Sequence, residues 1–411
     1  MAERKKVVLA YSGGVDTSVA IKWLAEKYRM DVITLCVNIG GVKDLPAIVS
    51  KAKKLGAVKS LSVDAQQEFI YEYVFPALKA DALYEGQYPL ATALGRPLIA
   101  QKLVEVAHKE GAAAVAHGST GKGNDQVRFD VSIAALGPDL KIIAPAREWG
   151  MTREQSIDYA HKHNIPIPVK KSSPYSIDEN PWGRSIECGI LEDPWVEPPA
   201  DVYLWTKSPV DAPDKPEYVE IGFEEGMPVS LNGRRMDGLT LIEKLNVMAG
   251  RNGIGRIDHI ESRLVGIKSR ENYEAPAAIV LLKAHQALEA MTLSRLQLKF
   301  KNMVQAEYSD MVYNGLWFSA HRSDLDAYIN STQKYVTGSI RVNMIKGNCI
   351  VVGRKSPYSL YRLELATYEK GDIFDQADSA SFCRIYGLQL KTQARAQRLH
   401  STAKKTGKKG K

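Results

Sequence analysis

The apolar run Val7-Val8-Leu9-Ala10-Tyr11 breaks at Ser12-Gly13-Gly14 and continues as Val15-Asp16-Thr17-Ser18. Glycines let the backbone take positive φ and approach a ligand closely. A helix that opens at such a turn points unpaired N–H groups, and the positive end of its dipole, at an anion. Ser12, Thr17 and Ser18 add hydroxyl donors. A glycine turn capped by Asp, Ser or Thr occurs in many strand–helix units, so Ser-Gly-Gly alone says little. The full string directly after a first strand points to phosphate binding. It is not a Walker loop, because the GxxxxGK[ST] spacing and its lysine are missing.

A second glycine loop, Gly118-Ser119-Thr120-Gly121-Lys122-Gly123-Asn124-Asp125-Gln126-Val127-Arg128, mixes hydroxyl, amide, acid and guanidinium. That mixture suits an amino acid, which needs donors for carboxylates and an acceptor for its ammonium. Residues 173–189 scatter small hydroxyls among turn residues and read, unaided, as a domain linker. Residues 256–276 are dense in charge and read as a solvated face laced with ion pairs.

The elements that must position these residues follow from periodicity. Residues 7–11, 31–37, 58–63, 113–116 and 141–144 read as strands, and 15–28, 45–55, 97–109 and 152–163 as helices. Strand–helix alternation predicts a doubly wound parallel α/β sheet, whose ligands lie beyond the carboxyl ends of the strands. The Gly-rich segments fall at those ends. A Pro- and Ser-rich crossing starts at 165–168 and runs through Ser172-Ser173-Pro174. Beyond it the pattern turns mixed, with strands at 218–223 and 227–231 and helices at 238–248, 276–291, 294–313 and 324–335. A hairpin over 337–344 and 348–354 turns at Lys346-Gly347. A last helix, 379–399, has an apolar side of Phe382, Ile385, Tyr386, Leu388 and Leu390 and then dissolves into the tail.

Composition narrows the class. A chain of 411 residues exceeds what one hydrophobic core usually organises. No apolar run is long enough to span a bilayer, and the N-terminal strand is too short for the core of a signal peptide; the expected location is the cytoplasm. The four cysteines (Cys36, Cys188, Cys349, Cys383) form no CxxC pair, so neither a zinc knuckle nor a redox dithiol is indicated. The net charge of +8 comes wholly from the tail, where eight cations (Lys391, Arg395, Arg398, Lys404, Lys405, Lys408, Lys409, Lys411) meet no acid. Without them, 47 basic residues face 47 acidic ones. A nucleic-acid binder would carry its excess on the folded body.

Taken together, AYSGGVDTS, TGKGNDQVRF, the Ser-Ile-Asp-Glu-Asn block and Gly-x-Lys-Ser-Arg before Tyr-Glu-x-Pro resemble argininosuccinate synthase from about Lys6 to Leu390. The first string resembles the loop of the PP-loop ATP pyrophosphatases. The resemblance implies an adenine nucleotide alpha hydrolase-like domain over 1–168 and an α+β synthetase domain over 169–365. It also implies a C-terminal oligomerisation helix over 366–400 in a homotetramer, leaving 401–411 as a basic, disordered tail. The implied activity is ATP-dependent joining of citrulline and aspartate through a citrullyl-adenylate, releasing AMP and pyrophosphate, in arginine biosynthesis.

Residue by residue, the resemblance gives ATP to Ala10, Tyr11, Ser12, Gly13, Gly14, Val15, Asp16, Thr17 and Ser18, with Val37 beside the adenine and Gly118 on the nucleotide. Asp16 and Ser12 take the catalytic roles, and Mg²⁺ arrives with ATP without direct protein ligands. Thr120, Asn124 and Asp125 look like the aspartate set. Tyr88, Asn124, Arg128, Ser176, Ser185, Glu261 and Tyr273 look like the citrulline set. One position departs: where some family members carry a serine that contacts citrulline, this chain has Ala93, with Thr92 beside it. Other PP-loop enzymes that thiolate or lysidinylate tRNA need a basic face, and the thiolating ones need reactive cysteines as well. An amidotransferase needs a glutaminase domain. A catalytically lapsed nucleotide-binding regulator would lose site residues that are here nearly all present.

Overall fold

Val7 and Leu9 point to one side of their strand and Val8 to the other, and all three are wholly buried. A strand covered on both faces needs this near-continuous apolar run. In the computed structural model, which describes residues 4–42, 44–150, 153–163, 165–166 and 175–406, that strand is the centre of a five-stranded parallel sheet. Its elements are β1 (Lys6–Ala10), α1 (Val15–Lys27), β2 (Asp31–Asn38), α2 (Leu45–Lys54), β3 (Lys59–Asp64), α3 (Ala91–Glu110), β4 (Ala114–Ala116), α4 (Asp125–Leu136), β5 (Lys141–Ile143) and α5 (Arg153–Lys162). The strand order is β3-β2-β1-β4-β5. Val7 and Leu9 pack with Val19, Leu24, Ala52 and Ala160 of α1, α2 and α5, while Val8 packs with Leu103, Val104 and Ile133 of α3 and α4. Helices thus cover both faces, the doubly wound arrangement expected from the alternation. The winding reverses between β1 and β4, so the loops after these two strands open side by side.

Two details differ from the sequence expectation. α3 starts at Ala91, six residues before Pro97, which lies inside the helix. The segment between β3 and α3 is helical too, with a π-helical stretch at Phe69–Val74. Phe69, Phe75, Leu90 and Leu94 from this region pack into a second core with Leu241, Leu281, Val312 and Ile340.

The mixed region holds β6 (Ser176–Asn180), β7 (Gly183–Glu187), β8 (Glu217–Glu224), β9 (Met227–Leu231), β10 (Arg234–Arg235), α6 (Gly238–Arg251), β11 (Arg256–Ser262) and β12 (Lys268–Glu274). It continues with α7 (Pro276–Thr292), α8 (Arg295–Tyr313), α9 (Ala320–Gln333), β13 (Gly338–Ile345) and β14 (Asn348–Lys355). One sheet runs β10-β9-β8-β13-β14; a second, antiparallel and four-stranded, runs β11-β12-β7-β6. The second sheet corrects two expectations. Residues 176–187 are not a linker but a hairpin, and 256–274 are not a solvated face but another, with Asn272, Tyr273 and Glu274 buried.

Residues 1–359 form one compact unit and 360–411 another. In the latter, α10 (Gln376–Tyr386) and α11 (Leu388–Thr406) meet at Gly387, so the last helix is two, and it runs past residue 399. Phe382, Ile385, Tyr386, Leu388 and Leu390 are all exposed there. The 168/169 boundary, the Ser172–Pro174 crossing and residues 407–411 lie outside the described residues.

Candidate active site

β1 ends at Ala10, and the next residue, Tyr11, turns its hydroxyl onto Ser18 Oγ at 3.2 Å. Gly13 then takes φ +80°, a conformation costly for any residue with a Cβ. Gly14 opens α1 with no side-chain cap, which leaves helix-start donors to a ligand. Ser12 Oγ and Thr17 Oγ1 share a hydrogen bond of 3.2 Å across the turn, and Ser12 Oγ also accepts from Gly14 N at 3.4 Å. The loop after β4 comes against this one: a Cβ on Gly118 would lie 3.0 Å from Thr17 Cγ2. Preceding it, buried His117 meets Asp130 at 2.8 Å through Nε2 and accepts from Ser119 N through Nδ1 at 3.3 Å.

α4 begins at Asp125, inside the segment read as a loop, and this first turn carries the most connected residues of the cleft. Asp125 accepts from Arg96 Nε at 2.9 Å and from Arg128 at 3.0 Å. Burial alone would raise its pKa, but the two guanidinium groups outweigh that and hold it below the usual carboxylate range. Arg96 also pairs with Asp178 on β6, joining α3 to the four-stranded sheet. Arg128 is 4% exposed and donates to the carbonyl of Tyr313 at 2.9 Å. Its Nη2 is buried with no partner among the described residues. The next turn passes close: a Cβ on Gly315, at φ +78°, would sit 2.7 Å from Arg128 Cα, so only glycine fits. Asn124 donates to the Tyr313 hydroxyl at 2.7 Å and accepts from Leu264 N at 2.9 Å.

Glu261 on β11 is buried and receives two phenols, Tyr273 at 2.6 Å and Tyr313 at 2.6 Å. Burial raises its pKa while the phenols oppose that. A carboxylate so placed accepts an ammonium well. Tyr88 stacks on Tyr273 with ring centroids 4.3 Å apart, and its hydroxyl accepts from Thr92 N at 2.9 Å. Burial pushes its pKa up to about 12. Ser185 on β7 is the cross-strand partner of Tyr273.

These groups share one cleft of about 700 Å³. It is lined by Ala10, Tyr11, Ser12, Gly14, Val15, Asp16, Thr17, Val37 and Gly118 of the expected ATP set and by Thr120, Asn124 and Asp125 of the aspartate set. All of Tyr88, Arg128, Ser176, Ser185, Glu261 and Tyr273 line it as well. Gly13 and Ser18 do not: Gly13 backs onto Ile48, and Ser18 is wholly buried beneath Tyr11. Thr92 lines the cleft, whereas Ala93 is buried away from it.

Sequence reasoning missed Arg96, Asp178, Glu187, Arg263 and Glu271, which also line the cleft. Arg263 pairs with Glu187 and Glu271 at 2.6 Å each. One guanidinium cannot fully compensate two carboxylates. Burial, reinforced by Glu271, pushes Glu187 up to about 7 against the pull of Arg263. The signal available was the density of charge in 256–276, which ion pairing explains equally well. Among the described residues the one His/Asp/Glu group with metal-like spacing is Asp81, His285 and Glu289, buried outside this cleft. The Lys301 ammonium bonds both Asp81 and Glu289, so the cluster already contains its cation.

Two protein families match the chain: the arginosuccinate synthase N-terminal HUP domain over residues 6–166 and the arginosuccinate synthase C-terminal domain over 175–393. The argininosuccinate synthase of Dehalococcoides mccartyi is 61% identical over 394 residues, covering 96% of this chain and 97% of that protein. That of Symbiobacterium thermophilum is 57% identical, covering 96% and 99%. That of Geobacillus kaustophilus is 56% identical, covering 98% and 99%.

Proposed function

Since the chain belongs to the argininosuccinate synthase family, we propose that its cleft divides the ligation of citrulline and aspartate among three groups of residues. The protein is an ATP-dependent ligase. ATP lies along Ala10–Ser18, with Val37 at the adenine and Gly118 on the nucleotide. Thr120, Asn124 and Asp125 take aspartate. Tyr88, Asn124, Arg128, Ser176, Ser185, Glu261 and Tyr273 take citrulline, with Thr92 replacing the serine contact absent at Ala93. The observation that carries this reading is the convergence of all three groups on one cleft.

In the first step the ureido oxygen of citrulline attacks the α-phosphorus of ATP, and the bond to the β-phosphate breaks to release pyrophosphate. In the second, the aspartate amine attacks the activated ureido carbon, loses its proton, and AMP departs. Neither step needs a side-chain nucleophile. Rate comes from holding the reactants in line and from donors aimed at the developing charge. Arg128 Nη2, buried and without a partner among the described residues, suits the citrulline carboxylate, and Glu261 suits its ammonium. Mg²⁺ bound to ATP would neutralise phosphate charge, and Asp16, which lines the cleft within the phosphate loop, would be the carboxylate facing it.

We also infer a cytoplasmic homotetramer; no described helix is long and apolar enough to cross a membrane, and the exposed apolar side chains of α10 and α11 offer a surface for association. The division at 168/169 and the accessory role of the tail belong to the same reading. A coupled assay for pyrophosphate tests the function: release should require citrulline, and argininosuccinate should appear only with aspartate present. Pyrophosphate release without citrulline, or none with all three substrates, overturns it.

A further inference from the structure

A Walker loop carries its own lysine; the Ser12–Thr17 loop contains none. The fold brings one from the next helix. Lys51, in the last turn of α2, donates from Nζ to the carbonyl of Gly13 at 2.7 Å. The same helix lies against the loop through Ile48, 3.4 Å from where a Cβ on Gly13 would stand. Lys51 is half-buried, and among the described residues no carboxylate pairs with it. Burial lowers its pKa. One carbonyl satisfies one of its three donors, so this is an ammonium with donors to spare on the α2 side of a loop whose Ser12 and Gly14–Thr17 line the cleft.

We propose that Lys51 is the phosphate-binding cation of this loop, contacting the β- and γ-phosphates of ATP and then the departing pyrophosphate, with the Gly13 carbonyl as its anchor. The inference rests on the reading that places the phosphates of ATP at Ser12–Thr17. Breaking the bond between the α- and β-phosphates puts new negative charge on the leaving pyrophosphate, and a cation fixed beside it stabilises that charge most where the charge develops. Two carriers of the same function thus differ in origin: the Walker lysine lies within the loop, whereas Lys51 reaches it from the neighbouring crossover.

Inorganic pyrophosphate with Mg²⁺, titrated calorimetrically into the full chain and into Lys51→Gln and Lys51→Arg, tests this. Gln keeps a donor for the Gly13 carbonyl and removes the charge; Arg keeps both. Pyrophosphate binding should weaken about tenfold or more in K51Q and stay within about threefold in K51R, as a charge-assisted contact predicts. The KM for citrulline should stay within about twofold in both, because the charge acts at the phosphates. K51Q binding within about threefold of the unaltered chain would make Lys51 a tether and overturn the proposal, as would K51R falling as far as K51Q. Failure of the unaltered chain to bind ATP or pyrophosphate would instead overturn the placement of the phosphates.

Discussion

Arg128 and Asp125 lie one turn apart on the same helix and are ion-paired at 3.0 Å, which fixes the guanidinium while leaving its Nη2 buried and without a partner among the described residues. A buried donor without an acceptor is costly, and a carboxylate ligand removes that cost. Arg128→Lys keeps the charge but loses the planar fork. It should raise the KM for citrulline about 10- to 100-fold, the range for losing a charge-assisted hydrogen bond. The KM for ATP should move far less. Steady-state kinetics with each substrate varied in turn checks both.

Thr92 and Ala93 both donate their amides to the Tyr88 hydroxyl, yet only Thr92 lines the cleft. Thr92→Val keeps the shape and removes the hydroxyl, so citrulline should bind about five- to tenfold more weakly, the usual weight of one neutral hydrogen bond. Equal citrulline KM values for T92V and the unaltered chain would show that nothing replaces the missing serine.

Glu187 titrates up to about 7, above the ordinary glutamate value of 4.5, because of its burial and of Glu271. The folded state therefore holds this proton more tightly than the unfolded chain does. Its contribution to stability is full below the unfolded value and is lost as pH rises through about 7. Glu187→Gln cannot ionise, so its melting temperature should fall less than that of the unaltered chain between pH 5 and pH 8. Parallel melting curves across that range would show that Glu187 carries no such linkage.

Lys301 sits in the second core, bonded to Asp81 and to Glu289 at 2.9 Å, with His285 on Asp81 at 2.7 Å. Burial disfavours its charge, but the two acids outweigh that and hold its pKa above the ordinary lysine range. Lys301→Met removes the ammonium shared by two buried carboxylates and should cost about 3–5 kcal/mol, measured by denaturant unfolding. Asp81 leads directly into the segment bearing Tyr84 and Tyr88, and its carbonyl accepts from Gln305 at 2.7 Å. The citrulline KM of this variant should rise with the loss of stability.

The parallel sheet was legible because burial on both faces leaves plain apolar runs such as Val7–Leu9. The four-stranded sheet was not. One of its faces lines a polar cleft, so Ser176, Asp178, Ser185, Glu187, Glu261 and Glu271 stand where a strand usually shows apolar residues. Their side chains are met by one another and by the substrates the chain is expected to bind, and periodicity cannot distinguish that from solvent. The glycine loops were visible as local strings. Arg96 was not, since its partners Asp125 and Asp178 lie 29 and 82 residues away. The Ala91 start of its helix was hidden by Pro97, which reads as a first-turn residue.

Tyr273 faces Ser185 on one side and Ile257 on the other, while Glu261 faces Ser269 across the turn that closes at Gly266. Side chains alternate along a strand, so shifting this pairing by one residue would turn each of these groups to the opposite face. Chain length between Ser262 and Lys268 is therefore itself an inherited requirement. Apart from Arg263, which lines the cleft, and Gly266 at φ +83°, residues in that turn can exchange so long as none is added or removed, and an odd insertion there would turn the pocket's groups to the opposite face without replacing any of them.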